Sequence, residues 1–211
     1  MTESIPTVFV VDDDPSIRES LSLLLSSAGY SVNTFASAKE FLESEHSTSG
    51  PACLVLDVKM PGISGLDLQK ELTSRNYAIP VIFITGHGDI PMSVEAMKKG
   101  AVDFLSKPFD DGQLLDAVKV ALLKDSQARS DLNEQKHIMQ RLDSLTTREN
   151  EILTYLITGM LNKQIAYELK ISERTLKAHR KQVFDKMGVN SMAELVRLTE
   201  KVGVKPADVS F

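Results

Sequence analysis

The chain has 211 residues, 42% hydrophobic and 25% charged, with a formal net charge of −5 and a single cysteine. That is the make-up of a soluble globular protein of one large or two small domains, and no apolar run approaches the roughly 20 residues that span a bilayer. Lone Cys53 argues against a disulfide framework, and the opening MTESIPT lacks the basic start and apolar stretch of a secretory signal, so a cytoplasmic protein with no membrane partner is expected.

The charge is unevenly spread. Residues 1–123 carry 17 Asp/Glu against 9 Lys/Arg, whereas residues 124–211 carry 12 against 15. Such a split is a domain signal, and the modest basic excess of the second half suits an anionic partner.

In chain order, the first predicted element is the strand Val8–Val11, which ends abruptly in Asp12, Asp13 and Asp14. Adjacent carboxylates repel one another, and burying them unpaired is costly, so the segment calls for a cation. Ile17, Leu21, Leu24 and Leu25 then give a helical face ended by Gly29. Four more short apolar runs follow: SVNTF, ACLVLD, PVIFIT and AVDFLSK. Helical spacing recurs at Leu66, Leu68 and Leu72, and again at Val94, Met97 and Lys98. Strands alternating with helices predict an α/β fold with a doubly wound, five-stranded parallel sheet in the order 2-1-3-4-5.

In an open parallel sheet, ligands bind at the carboxyl ends of the strands, where strand order reverses. Those ends carry Asp12 and Asp13 on strand one, Asp57 on strand three, Thr85 on strand four and Lys107 on strand five; SVNTF offers nothing comparable. A lone Asp at a strand end is an ordinary turn former or helix N-cap, and Asp14 before Pro15 fits that use. Three converging carboxylates form a hard oxygen site suited to Mg²⁺. A phosphoryl group accounts for the remaining hydroxyl and ammonium, with Asp57, alone at its strand end, as the carboxylate nucleophile.

The blocks VVDDD, LVLDVKMPGISG, VIFITGHGD and GAVDFLSKPF resemble the signature blocks of two-component receiver domains, over residues 5–123. The stretch TGHGDIPMSVEAMKKGAVDFLSKPF is particularly similar to the FixJ group. The resemblance implies that Asp57 accepts phosphate from a cognate sensor histidine kinase. It implies that Asp13, Asp57 and the backbone carbonyl of Lys59 hold Mg²⁺, with Mn²⁺ as the alternative, while Asp12 supports the ion partly through water. Thr85 and Lys107 are then the phosphoryl contacts, Lys107-Pro108 a cis peptide, and Thr85 with Phe104 the switch, relayed through the surface of residues 89–109. Phe104 reads equally as a plain core aromatic. Lys59 and His87 stand at positions that tune phosphate lifetime in this family.

From Leu114 to Leu142 no proline occurs. Leu114, Val118, Ala121, Asp125, Ala128, Leu132, Gln135, Met139 and Leu142 alternate spacings of three and four, a heptad seam that Asp125 and Gln135 weaken. Residues 124–142 are expected to form a helical linker, either pairing with a second copy or simply solvated.

Residues 143–211 read as a small all-helical domain. Thr146 or Thr147 caps a helix with Glu149 in its first turn, NKQIAYELKI gives a short helix, and SERTLKAHRKQVFDKMG a longer one capped by Ser172 and stopped by Gly188. SMAELVRLTEKVG gives a fourth. The short helix, tight turn and longer helix make a helix-turn-helix. On the longer helix Leu176, His179 or Arg180, Val183 and Met187 face the core, which leaves Arg174, Lys177, Ala178 and Lys181 on a basic outer face that fits the DNA major groove. The segment from LTTREN to ELVRL resembles the LuxR-type DNA-binding domain of NarL/FixJ regulators. That implies base contacts from Lys177, Ala178 and Lys181, and phosphate contacts from Asn162, Lys163, Thr175 and Arg180.

The expectation is a phosphorylation-controlled transcription regulator that binds double-stranded DNA, dimerises on phosphorylation and works with RNA polymerase. It is not expected to be an enzyme beyond its own phosphotransfer and dephosphorylation. Two alternatives stay open. One is a phosphohydrolase using Asp57 on a small substrate, although no inserted cap or substrate loop accompanies the cleft. The other is a DNA binder indifferent to phosphorylation, which the complete acidic site disfavours.

Overall fold

Short β-branched runs bury well on both faces, and the amphipathic segments between them have one face to bury. The computed structural model describes residues 5–44, 48–86 and 90–208, and it satisfies both demands in one parallel sheet. The strands are β1 (Thr7–Val11), β2 (Ser31–Phe35), β3 (Ala52–Asp57), β4 (Val81–Thr85) and β5 (Asp103–Ser106). Their order is β2-β1-β3-β4-β5, all neighbours parallel, with Thr7 in register with Ala52 and Leu54 with Val81. This is the predicted fold. The interior strands β1, β3 and β4 are buried along their whole length, whereas the edge strand β2 is largely exposed.

The helices on this sheet are α1 (Pro15–Ser27), α2 (Ala38–Glu43), α3 (Gly65–Ser74), α4 (Ile90–Lys98) and the first part of α5 (Asp111–Asp143). Alternate residues of each strand serve opposite faces. Phe9, Leu54, Leu56 and Phe83 meet Phe41 of α2, Leu68 and Leu72 of α3 and Ala96 of α4. Val8, Val10, Cys53, Val55, Ile82 and Ile84 meet Leu21 and Leu25 of α1 and Leu114, Val118 and Ala121 of α5. The six-residue α2 is too short for a periodic signal to reveal it; its N-cap Ser37 accepts from the Glu40 amide. On α4 the small residue Ala96 is turned inward, and Val94 and Met97, which carried the helical spacing, are exposed.

The chain divides into two compact units, Met1–Arg129 and Ser130–Phe211. Helix α5 runs unbroken for 33 residues, but its heptad seam is not one stripe. Leu114, Val118, Ala121 and Asp125 are buried in the first unit, Leu132 and Met139 are exposed, and Ile138, one position off the seam, is buried in the second unit.

The second unit packs α6 (Thr147–Leu156), α7 (Asn162–Glu168), α8 (Glu173–Met187) and α9 (Met192–Lys201) around Ile152, Leu153, Ile165, Leu176, Val183 and Leu195. Thr146 is the cap of α6, and it forms a reciprocal capping box with Glu149. Ser172 caps α8 by accepting from the Thr175 amide, and Gly188 ends it at φ 63°, the left-handed conformation that glycine adopts without steric penalty.

Candidate functional site

Because the sheet is parallel, the carboxyl ends of β1, β3, β4 and β5 share one edge, and four of the predicted residues meet there. Asp12 is 1% exposed, Asp57 5% and Thr85 1%. The Lys107 ammonium sits between the two carboxylates, its Nζ 2.6 Å from Asp12 Oδ2 and 2.8 Å from Asp57 Oδ1. The Lys107 amide donates to the Thr85 carbonyl at 2.7 Å, and the Lys107-Pro108 bond is cis. In this structure, then, the cation that answers the repulsion between the buried carboxylates is a lysine of the chain itself.

Asp57 is also held from its other oxygen. Oδ2 accepts from the Lys59 amide at 2.7 Å. Burial pushes the Asp57 carboxyl above the usual carboxylate range, although the hydrogen bond and charge of Lys107 pull the other way. For Lys107 burial alone would favour the neutral amine; hydrogen bonds to Asp12 and Asp57 outweigh it and raise the ammonium above its ordinary value. Asp13 is exposed, outside this buried group, and Asp14 caps α1 by accepting from the Ser16 amide. Phe104 is half-buried with its ring 6.3 Å from that of Phe83, centre to centre. His87 lies outside the described residues.

Two supporting residues escaped the sequence reading. Arg18 Nη1 donates to the Asp12 carbonyl at 2.7 Å and pins the turn that follows β1. Gly65 opens α3 so close to β3 that an added Cβ would lie 2.3 Å from the Asp57 carbonyl oxygen. The turn KMPGISG was visible, but the close approach depends on how α3 packs.

Among the described residues, no three His, Cys, Asp or Glu side chains gather closely enough to hold a metal ion. The donor chemistry nonetheless fits Mg²⁺, because the acidic edge presents oxygen ligands only. Asp12 and Asp57 already share one cation, and Asp13 stands next in the chain on the solvent side.

On α8, Lys177, Ala178 and Lys181 are exposed together with Arg174, opposite buried Leu176, Val183 and Met187. Lys163 and Thr175 are exposed, and Thr175 Oγ1 lies 2.8 Å from Ser172 Oγ. Arg180 and Asn162 are half-buried and engage each other across the helix-turn-helix, with Arg180 Nη1 donating to Asn162 Oδ1 at 3.1 Å. The guanidinium also stacks 5.2 Å above the Phe184 ring.

Two family models match the chain: the response regulator receiver domain over residues 8–119 and the LuxR family of bacterial regulatory proteins over residues 143–199. The chain belongs to the response regulators that carry a LuxR-type DNA-binding domain. Among curated relatives it is 49% identical to nodulation protein W of Bradyrhizobium diazoefficiens, over 93% of this chain and 86% of the relative. It is 46% identical to the transcriptional regulatory protein FixJ of Azorhizobium caulinodans, over 99% and 98%. Among solved structures, response regulator StyR superposes with a TM-score of 0.83 at 50% identity, covering 94% of this chain and all of that one. Full-length FixJ from B. japonicum gives 0.58 at 41% identity, covering 96% and 98%. This response regulator therefore joins a receiver to a helix-turn-helix unit, and no described helix is long and apolar enough to cross a membrane.

Proposed function

We propose that a cognate sensor histidine kinase phosphorylates Asp57 of this response regulator, and that the phosphorylated chain dimerises and binds double-stranded DNA to regulate transcription in the cytoplasm. The observation that carries this reading is the Lys107 ammonium shared by buried Asp12 and Asp57 at the sheet edge. The site holds a positive charge where a phosphoryl group needs one, beside a carboxylate able to act as nucleophile.

In the proposed reaction an Asp57 oxygen attacks phosphorus, and an O–P bond forms as the P–N bond to the kinase histidine breaks. Lys107 then turns from the carboxylate to a phosphoryl oxygen, and the Thr85 hydroxyl at the neighbouring strand end donates to another. Asp12, Asp13, Asp57 and the Lys59 carbonyl are the residues that would hold Mg²⁺, or Mn²⁺ in its place. Bound there, the ion supplies neutralisation of the charge on the transferring group. Contacts made by Thr85 in only one state bias the receiver, with Phe104 following. Lys177, Ala178 and Lys181 read base edges, Asn162, Lys163, Thr175 and Arg180 position the backbone, and RNA polymerase is the further partner.

The test is sedimentation velocity on wild-type and Asp57→Asn chains, each with Mg²⁺, with and without beryllofluoride. A monomer-to-dimer shift in wild type alone is expected. Identical sedimentation in all four samples, together with DNA affinity indifferent to beryllofluoride, would sink the proposal.

A further inference from the structure

Asp125 broke the apolar seam of the linker in the sequence, and the structure accounts for it. The residue is 5% exposed. Its Oδ2 accepts from the Ala52 amide at 2.8 Å, across 73 residues of chain, and from Arg129 Nε at 2.6 Å. Arg129 in turn donates from Nη1 to the Thr48 carbonyl at 3.2 Å and from Nη2 to Thr48 Oγ1 at 2.9 Å.

The strand register supplies the reason. The Leu54 amide donates to Pro80, and Leu54 is the first residue of β3 paired with β4. The Ala52 amide lies one pleat earlier and points the same way, toward a stretch that β4 does not reach. A buried amide without an acceptor is costly, and Asp125 takes the place of the missing strand. Helix α5 is therefore fastened to the first residue of β3 by a charge-assisted bond, four residues before the first unit ends at Arg129.

The last residue of the same strand is Asp57. All six residues of β3 are buried, so the two ends of a rigid segment of about 16 Å carry the phosphoacceptor and the clasp on the linker helix. We infer that β3, through the Asp125–Ala52 bond and the Arg129–Thr48 brace, couples the state of Asp57 to the linker helix and hence to DNA binding. Asp125 and Arg129 are positioning residues in this scheme and touch neither phosphoryl group nor DNA. The inference rests on the phosphorylation switch proposed above.

The experiment uses the full chain as wild type, Asp125→Ala and Arg129→Gln. Three quantities are read: Asp57 phosphorylation by acetyl phosphate with Mg²⁺, affinity of the unphosphorylated chain for a duplex selected in vitro on wild type, and the gain in affinity on adding beryllofluoride. In the variants the first two should stay within about twofold of wild type, while the gain falls to about one from the roughly 5- to 150-fold usual for coupled sites. A variant that phosphorylates normally and keeps the wild-type gain overturns the inference. A wild-type gain of one overturns the underlying switch instead. Hydrogen exchange on the wild-type chain tests the inference even where a variant fails to fold. Beryllofluoride should change protection at the Ala52 amide and over residues 124–132, and unchanged protection there overturns the coupling.

Discussion

Asp57 occupies a place where an ionised carboxylate is costly. Its folded-state pKa lies above the ordinary value, first because of burial and further because of Asp12, with Lys107 opposing. For a raised carboxyl the linkage sign is unfavourable at neutral pH: the stability it contributes is full below its unfolded pKa and is lost as pH rises to the folded one. Asp57→Asn removes the charge while Asn Oδ1 can still accept from Lys107. The variant loses the bond from the Lys59 amide, but Asp12 keeps Lys107 paired and the desolvated charge is gone. In Mg²⁺-free buffer near pH 7 it should therefore be more stable to urea than wild type, by about 1 kcal/mol. A lower midpoint would mean that Lys107 compensates the charge in full. Cys53 gives a second residue-scale expectation. Burial, then the charge of Asp125, pushes its thiol up to about 12, so almost no thiolate exists at pH 8. A chromogenic disulfide reagent should leave the native chain unmodified and label one thiol per chain only in denaturant; prompt native labelling would contradict the closed strand.

At the scale of elements, the edge that carries Asp57 depends on how closely α3 approaches β3. Gly65→Ala would place a methyl 2.3 Å from the Asp57 carbonyl oxygen, and the obstacle is backbone rather than a side chain that can swing aside. Either α3 or the end of β3 must move. Overpacking of this kind costs about 1–3 kcal/mol, and here the displacement falls on Asp57, the proposed nucleophile. Phosphorylation of Gly65→Ala by acetyl phosphate should slow by about tenfold or more, since small misplacements of reacting groups are expensive. Gly62→Ala makes the internal control: its left-handed φ of 81° makes a side chain strained, yet nothing lies within 4 Å of the added Cβ, so it should lose stability without comparable loss of phosphorylation. Equal slowing in both would locate the sensitivity in the turn rather than the contact.

The same scale explains what could be read without coordinates. Asp12, Asp57, Thr85 and Lys107 were legible because each ends a strand, and a parallel sheet sends all its carboxyl ends to one edge. That Lys107 is itself the cation between Asp12 and Asp57 was not, since the sequence says only that the groups are near. Asp125 looked like a flaw in a heptad because its acceptor role depends on β4 starting one pleat late beside β3, a register no local pattern encodes. Arg180 and Asn162 were both legible as polar residues of a helix-turn-helix, but their bond to each other arises only from the packing of α7 on α8.

For the whole molecule, the charge split sets how the two units meet a polyanion. The residues before 124 are strongly acidic and those after are basic, so DNA attraction falls to exposed Lys163, Arg174, Lys177 and Lys181 and to Arg180, which Asn162 and Phe184 hold in place. With Lys163 and Arg180 as the two cationic backbone contacts of each protomer, a dimer would give log K a slope against log salt of about −4. Separating the roles needs two substitutions. Lys163→Ala, at the start of α7, should flatten the slope by about one unit per protomer and weaken all duplexes alike. Lys177→Ala, on the outer face of α8, should instead narrow the difference between the selected duplex and a scrambled one by about 1–3 kcal/mol, because it removes a proposed base contact. Fluorescence anisotropy at four salt concentrations measures both. If Lys177→Ala weakened the two duplexes equally and Lys163→Ala removed the discrimination, α7 rather than α8 would be the helix in the groove.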